Sequence, residues 1–129
     1  MYDQHIIVPG TLRNTADGEA ITGYELGIRL PYYRGQWLSI VEDIAVSADG
    51  VKAPREAVRF TLRGRAWTLD QMEAATDQRW EFGEVATVSV LQPGGLAAGE
   101  HELVVAEQLR ISYLPWVPTT SCTQRMTLA

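Results

Sequence analysis

Val58-Arg59-Phe60-Thr61-Leu62-Arg63 alternates apolar and polar residues without a break. Successive side chains of a strand point to opposite faces, so this pattern places Val58, Phe60 and Leu62 on one buried face and the arginines in solvent. The same period recurs outward in both directions. Tyr24, Leu26, Ile28 and Leu30 alternate with Gly23, Glu25, Gly27 and Arg29. Leu38, Ile40, Ile44 and Val46 share a face that Glu42 interrupts. Val85 to Leu91 is a short β-branched run, and Leu103, Val105, Leu109, Ile111 and Tyr113 form one face of a long strand interrupted by Glu107. Cys122, Met126 and Leu128 alternate with Thr123, Arg125 and Thr127. The pattern predicts strands over Tyr24–Leu30, Leu38–Ala48, Val58–Arg63, Val85–Leu91 and Leu103–Tyr113, with Phe60, Leu62, Val88, Val105 and Ile111 in the core.

Turn residues punctuate these runs. Asp17-Gly18 and Asp49-Gly50 are strong hairpin dipeptides, and Pro93-Gly94-Gly95 with Ala98-Gly99 brackets another connection. The stretch from Leu96 to Val105 reads as a turn entering a strand. One segment reads as helix: Thr68 caps it, Asp70 and Glu73 suit its first turn, and Leu69, Met72 and Ala75 have helical spacing over about two turns. Seven or eight short strands, with turns roughly every 8–12 residues, point to a two-sheet antiparallel β-sandwich with one short helix on a connection. The 129 residues suit one such domain, residues 1–129, large enough to bury a core without disulfides.

Composition narrows the function. The net charge is -5, and Lys52 is the only lysine among scattered arginines, so no basic stripe for nucleic acid exists. No apolar run reaches the roughly 20 residues of a membrane span. Met1 to Gly10 holds Asp3 and His5 without a basic leader, and Cys122 is the single cysteine, which together predict a cytoplasmic protein. His5 and His101 stand apart with no HxH or HExxH spacing and read as two surface histidines, so no metal site is expected in this chain. Cys122 reads as a buried small hydrophobe, and no G-x-S-x-G or phosphate loop is present. Glu42 and Glu107 fall on apolar faces. A carboxylate pair is the functional reading, and a bulge or strand end meeting solvent is the favoured one; an arginine on a neighbouring strand lies between them.

Aromatic residues gather in three stretches. Tyr32, Tyr33, Arg34 and Trp37 lie in Pro31–Trp37, Trp80 and Phe82 follow the helix, and Trp116 lies in Tyr113–Pro118. Tyr, Trp and Arg dominate binding hot spots. Trp80 and Phe82 read equally well as plugs at the end of a sandwich. Tyr32 to Trp37 reads as a surface for a partner, because so many large rings are costly to leave exposed.

Arg29-Leu30-Pro31-Tyr32-Tyr33-Arg34-Gly35, Ser47-Ala48-Asp49-Gly50, Arg79-Trp80-Glu81-Phe82-Gly83-Glu84 and Gly94-Gly95-Leu96 leading to Gly99-Glu100-His101 resemble the small β subunit of bacterial C-glycoside deglycosidases. The resemblance runs from about Tyr24 to Leu128 in order and spacing, and its most specific pieces are the PYYRG and RW-x-F-G-E stretches. It implies a β-sandwich that packs on a larger TIM-barrel α subunit. That subunit holds a divalent metal, manganese, and the main acid/base residues. The complex cleaves the carbon–carbon bond between a 3-oxo sugar and an aromatic aglycone such as a flavonoid or anthraquinone. On this reading Tyr32, Tyr33, Arg34, Trp37, Trp80 and Trp116 form the interface, and this chain is inactive alone, with no cofactor of its own. Two rival readings remain: a stand-alone carbohydrate-binding module stacking sugars on Trp37 or Trp116, and a small enzyme using Glu42 and Glu107.

Overall fold

The computed structural model describes residues 6–31, 35–110 and 119–128. Eleven strands occur among them: β1 Arg13–Asp17, β2 Ala20–Ile28, β3 Gln36–Trp37, β4 Val41–Ala48, β5 Val51–Lys52, β6 Val58–Leu62, β7 Arg65–Thr68, β8 Arg79–Trp80, β9 Ala86–Leu91, β10 Gly99–Leu109 and β11 Thr119–Leu128. They form a five-stranded sheet in the order β1-β2-β9-β6-β7, a four-stranded sheet in the order β11-β10-β4-β5, and the ribbon β3-β8. Every pairing is antiparallel. This is the expected all-β sandwich. Tyr24, Leu26, Ile28, Val58, Phe60, Leu62, Val88 and Val90 from the first sheet and Ile44, Val46, Leu103, Val105, Cys122 and Met126 from the second belong to one buried cluster.

The period-two reading places β6 and β9 within a residue of their observed ends. Where it departs, the backbone explains why. Leu38–Ile40 is a 3-10 turn rather than strand, and β4 begins at Val41. The long strand starts earlier than expected, at Gly99, and is assigned to Leu109; Ile111 and Tyr113 lie outside the described residues. The α-helix is a single turn, Leu69–Met72, opened by a capping box between Thr68 and Gln71; beyond it the backbone tightens into three-residue bonds, from the Glu73, Ala74 and Ala75 amides to the Asp70, Gln71 and Met72 carbonyls, which still bring Ala75 to the core. The hairpin between β6 and β7 carries no Asn-Gly or Asp-Gly dipeptide. Arg63 and Gly64 form its two-residue loop with φ of 50° and 81°, matching Asp49 and Gly50 at 51° and 83° between β4 and β5. Two successive positive φ values define the type I′ turn, whose twist suits a hairpin. The loop between β1 and β2 differs: of its two residues only Gly18 has a positive φ, 64°, as the first position of a type II′ turn requires.

Burial separates the two carboxylates that the sequence paired. Glu42 is the extra residue of a bulge, since Leu109 pairs with Val41 and Gln108 with Asp43. The bulge turns its side chain outward, to an ion pair with Arg110 at 3.2 Å. Glu107 has no such relief. It stays in phase with Leu103, Val105 and Leu109 on the core face, 0% exposed, and neither carboxylate oxygen has a hydrogen-bond partner among the described residues. The bulge reading is therefore right for Glu42 and wrong for Glu107. Burial drives the Glu107 carboxyl well above its ordinary pKa, because the charged form would lose its hydration with no partner to replace it.

His101 also departs from expectation. It is buried, with Nδ1 2.6 Å from Asp49 Oδ2 and Nε2 2.6 Å from the Ala97 carbonyl oxygen. Both ring nitrogens face acceptors, an arrangement only the imidazolium satisfies twice. The Asp49 hydrogen bond raises the His101 pKa most, followed by the Ala97 carbonyl, while His101 lowers that of Asp49. The pair staples the β4–β5 hairpin tip to the start of β10. His5 lies outside the described residues.

A candidate partner-docking surface

The surface grows from the β3–β8 ribbon. Two-residue strands are held by their ends: Gln36 pairs with Trp80, Trp37 with Arg79, and the Leu38 amide donates to the Gln78 carbonyl at 2.9 Å. Alternation then sorts the side chains. On β8, Trp80 points inward and Arg79 outward. Trp80 is 0% exposed, packs edge-on against Phe60 with ring centroids 5.0 Å apart, and donates Nε1–H to the Glu84 carbonyl at 2.8 Å. It is a core plug and offers no surface to a partner, which corrects its placement among interface residues.

Trp37 does face solvent, at 42% exposure. The Arg79 guanidinium lies over its ring, 5.1 Å from the centroid, and also donates to the Gly35 carbonyl at 3.0 Å. Glu81 completes the group, 3.4 Å from Arg79 Nε. Such a stacked cation contributes about 0.5–1 kcal/mol at an exposed site and holds the indole in one orientation. With one ring face covered by Arg79, Trp37 is a poor platform for stacking a sugar on that side.

The turn that follows presents more apolar surface. Arg63 grips the Glu84 carboxylate at 2.6 and 2.7 Å and donates to the Arg79 carbonyl at 2.8 Å. Glu84 in turn accepts from the Glu81 amide at 3.1 Å. This lattice fixes a loop from which Phe82 and Val85 project, 51% and 50% exposed.

The same end carries the stems of both other aromatic stretches. Gly35 is the described residue after Tyr32, Tyr33 and Arg34, which lie outside the described residues. Arg110 is the last described residue before the stretch containing Trp116, which also lies outside them. The Arg110 amide donates to the Ile40 carbonyl at 2.8 Å, and its guanidinium reaches Ser39 and Glu42. Ile40 is three residues beyond Trp37. The sequence left open whether the two stretches share an end; their stems do. Among the described residues of this end, Arg63, Arg79 and Arg110 each face a carboxylate.

The alternatives fare differently. Among the described residues no group of three or more His, Cys, Asp or Glu is placed to hold a metal ion. No helix of the described residues is long and apolar enough to cross a membrane. A depression of about 590 Å³ lies on β4 and β5 among Glu42, Asp43, Lys52, Ala53, Arg55 and Gln108. Arg55 is tied there to Asp43 at 2.7 Å and to Asp70 at 3.1 Å, and the lining holds no aromatic ring. Cys122 is buried and free, as its alternation implied.

Sequence reasoning missed Arg79. Its signal was present: beside a buried Trp80 on an extended pair, residue 79 must point out.

The family model for C-glycoside deglycosidase beta subunits matches residues 2–113. A C-glycoside deglycosidase beta subunit of Eubacterium cellulosolvens is 32% identical over 114 residues, covering 88% of this chain and 78% of the relative. One from Arthrobacter globiformis is 32% identical over 97 residues, 74% of each chain. A 3'-dehydrocarminate deglycosidase beta subunit of a Microbacterium species is 34% identical over 116 residues, covering 89% of this chain and 83% of the relative. With most of its length matched and its sandwich core intact, the chain belongs to the C-glycoside deglycosidase beta subunit family.

Proposed function

We propose that this chain is the non-catalytic β subunit of a cytoplasmic, hetero-oligomeric carbon–carbon lyase. It docks on a larger TIM-barrel α subunit through the end that carries Trp37, Arg79, Phe82 and the stems of the two other aromatic stretches. The complex cleaves the bond between a 3-oxo sugar and an aromatic aglycone such as a flavonoid or anthraquinone. Oxidation at C3 of the sugar acidifies the C2 proton, and a base of the α subunit removes it to start elimination of the aglycone. The divalent metal, manganese, belongs to the α subunit. The observation that carries this reading is the family match over residues 2–113. An exposed, cation-clamped indole supports the choice of surface, since rigid rings lose little entropy on docking.

Co-expression with an α subunit tests it. Neither chain alone should release aglycone from a 3-oxo-C-glycoside, and the two together should. Trp37→Ala should weaken assembly by roughly 1–4 kcal/mol, as a hot-spot ring does, with an unchanged circular dichroism spectrum. Turnover by this chain alone, or full assembly of a folded Trp37→Ala variant, refutes the subunit role or the surface respectively.

A further inference from the structure

The sheets present four outer strands, and one differs from the rest. β5 has two residues, β7 four, and β1 five with a bulge between Thr15 and Ala16. β11 has ten. It pairs with β10 through ten consecutive positions without a register shift, and its other edge has no partner among the described residues. Proteins guard exposed edges with short strands, prolines, bulges or charges. β11 has no proline and no bulge, and its one charge, Arg125, is offset by Glu100 at 2.9 Å. A long, straight, nearly neutral edge is a template for another strand.

We propose that β11 pairs antiparallel with β11 of a second copy of this chain, joining two four-stranded sheets into one of eight strands about a two-fold axis. Thr119 adjoins the aromatic end through its pairing with Gln108, but most of this edge runs away from it, and the proposal does not rest on the α-subunit reading. The charges select the register. An axis through Arg125 would set two arginines face to face, which is unfavourable. An axis through Thr123 sets Thr123 against its own copy, Ser121 against Arg125 and Thr119 against Thr127. All five are on the outward face, with Cys122, Met126 and Leu128 on the other. No like charges then meet, and Thr–Thr pairs are favourable cross-strand neighbours. A two-fold pairing of identical patches is also the commonest closed assembly.

Sedimentation of the full chain tests this. The wild-type protein should be dimeric. Thr123→Lys and Thr123→Glu each place like charges on the axis and should raise the dimer dissociation constant by about fivefold or more. Mixing the two variants should restore a dimer, now held by opposite charges, while circular dichroism shows both folded. A monomeric wild-type chain overturns the proposal, whether the edge then serves the α subunit, another segment of the same chain or nothing. So does a variant that dimerises as tightly as wild type, or a mixture no tighter than its components.

Discussion

Replacing Glu107 should make the protein more stable and remove part of its pH dependence. The carboxyl is wholly buried and neither oxygen is bonded among the described residues, so folding takes it from water without a replacement there. A buried polar group left unpaired costs about 1–3 kcal/mol. Glu107→Met keeps the length of the side chain, fills the same space and removes that cost. The pH term adds to it. Because the folded carboxyl has a raised pKa, the folded state holds a proton that the unfolded chain releases near its ordinary value. Stability is therefore greatest below that ordinary value and falls as pH rises, by about 1.4 kcal/mol per pH unit until the folded carboxyl itself ionises. The loss stops only when the buried carboxyl gives up its proton, which burial defers. Urea unfolding of wild type, Glu107→Met and Glu107→Gln at pH 5, 6 and 7 measures it. The gap between wild type and Met should widen with pH, and the Gln variant should lose the slope while keeping the polar burial. Parallel curves, or a Met variant less stable than wild type at pH 7, would mean that Glu107 is ionised and satisfied in the folded protein.

His101 also ties stability to pH. Its folded pKa is raised, so the staple to Asp49 and Ala97 is fully present below the unfolded histidine value and is lost as pH rises through the folded one; thermal unfolding of wild type and His101→Gln between pH 6 and 9 should converge at the alkaline end. Phe60 is fully buried against Trp67 and Trp80, with centroids 6.2 and 5.0 Å away, and Phe60→Ala should cost about 3–5 kcal/mol in urea unfolding. A Cβ on Gly35 would meet Glu81 and Arg79, so Gly35→Ala should displace the cation from Trp37 and reduce co-purification with an α subunit while the far-ultraviolet spectrum is retained.

Alternation alone was enough to make β6, β9 and the inner half of β10 legible, because a strand with one wet and one dry face must repeat every two residues. The Asp49-Gly50 turn was legible for an equally local reason: two positive φ values need residues that tolerate them. Family resemblance was legible in PYYRG and RW-x-F-G-E, where residue identity rather than period carries the signal. The fate of Glu42 and Glu107 was not. Both interrupt an apolar face in the same way, and only a register shift between β10 and β4 turns one outward to Arg110 while the other stays sealed between the sheets. Trp80 and Trp37 pose the same problem. Both are tryptophans closing two-residue extended pieces, and only the ribbon they share assigns one to the core and the other to solvent. His101 looked like an isolated surface residue because its partners, Asp49 and Ala97, converge on it through the β4–β10 pairing and the turn before β10. Local pattern is a property of neighbours along the chain; burial, ion pairing and a common end for distant loops depend on which strands pair and in what register, and that is settled only when the whole core closes.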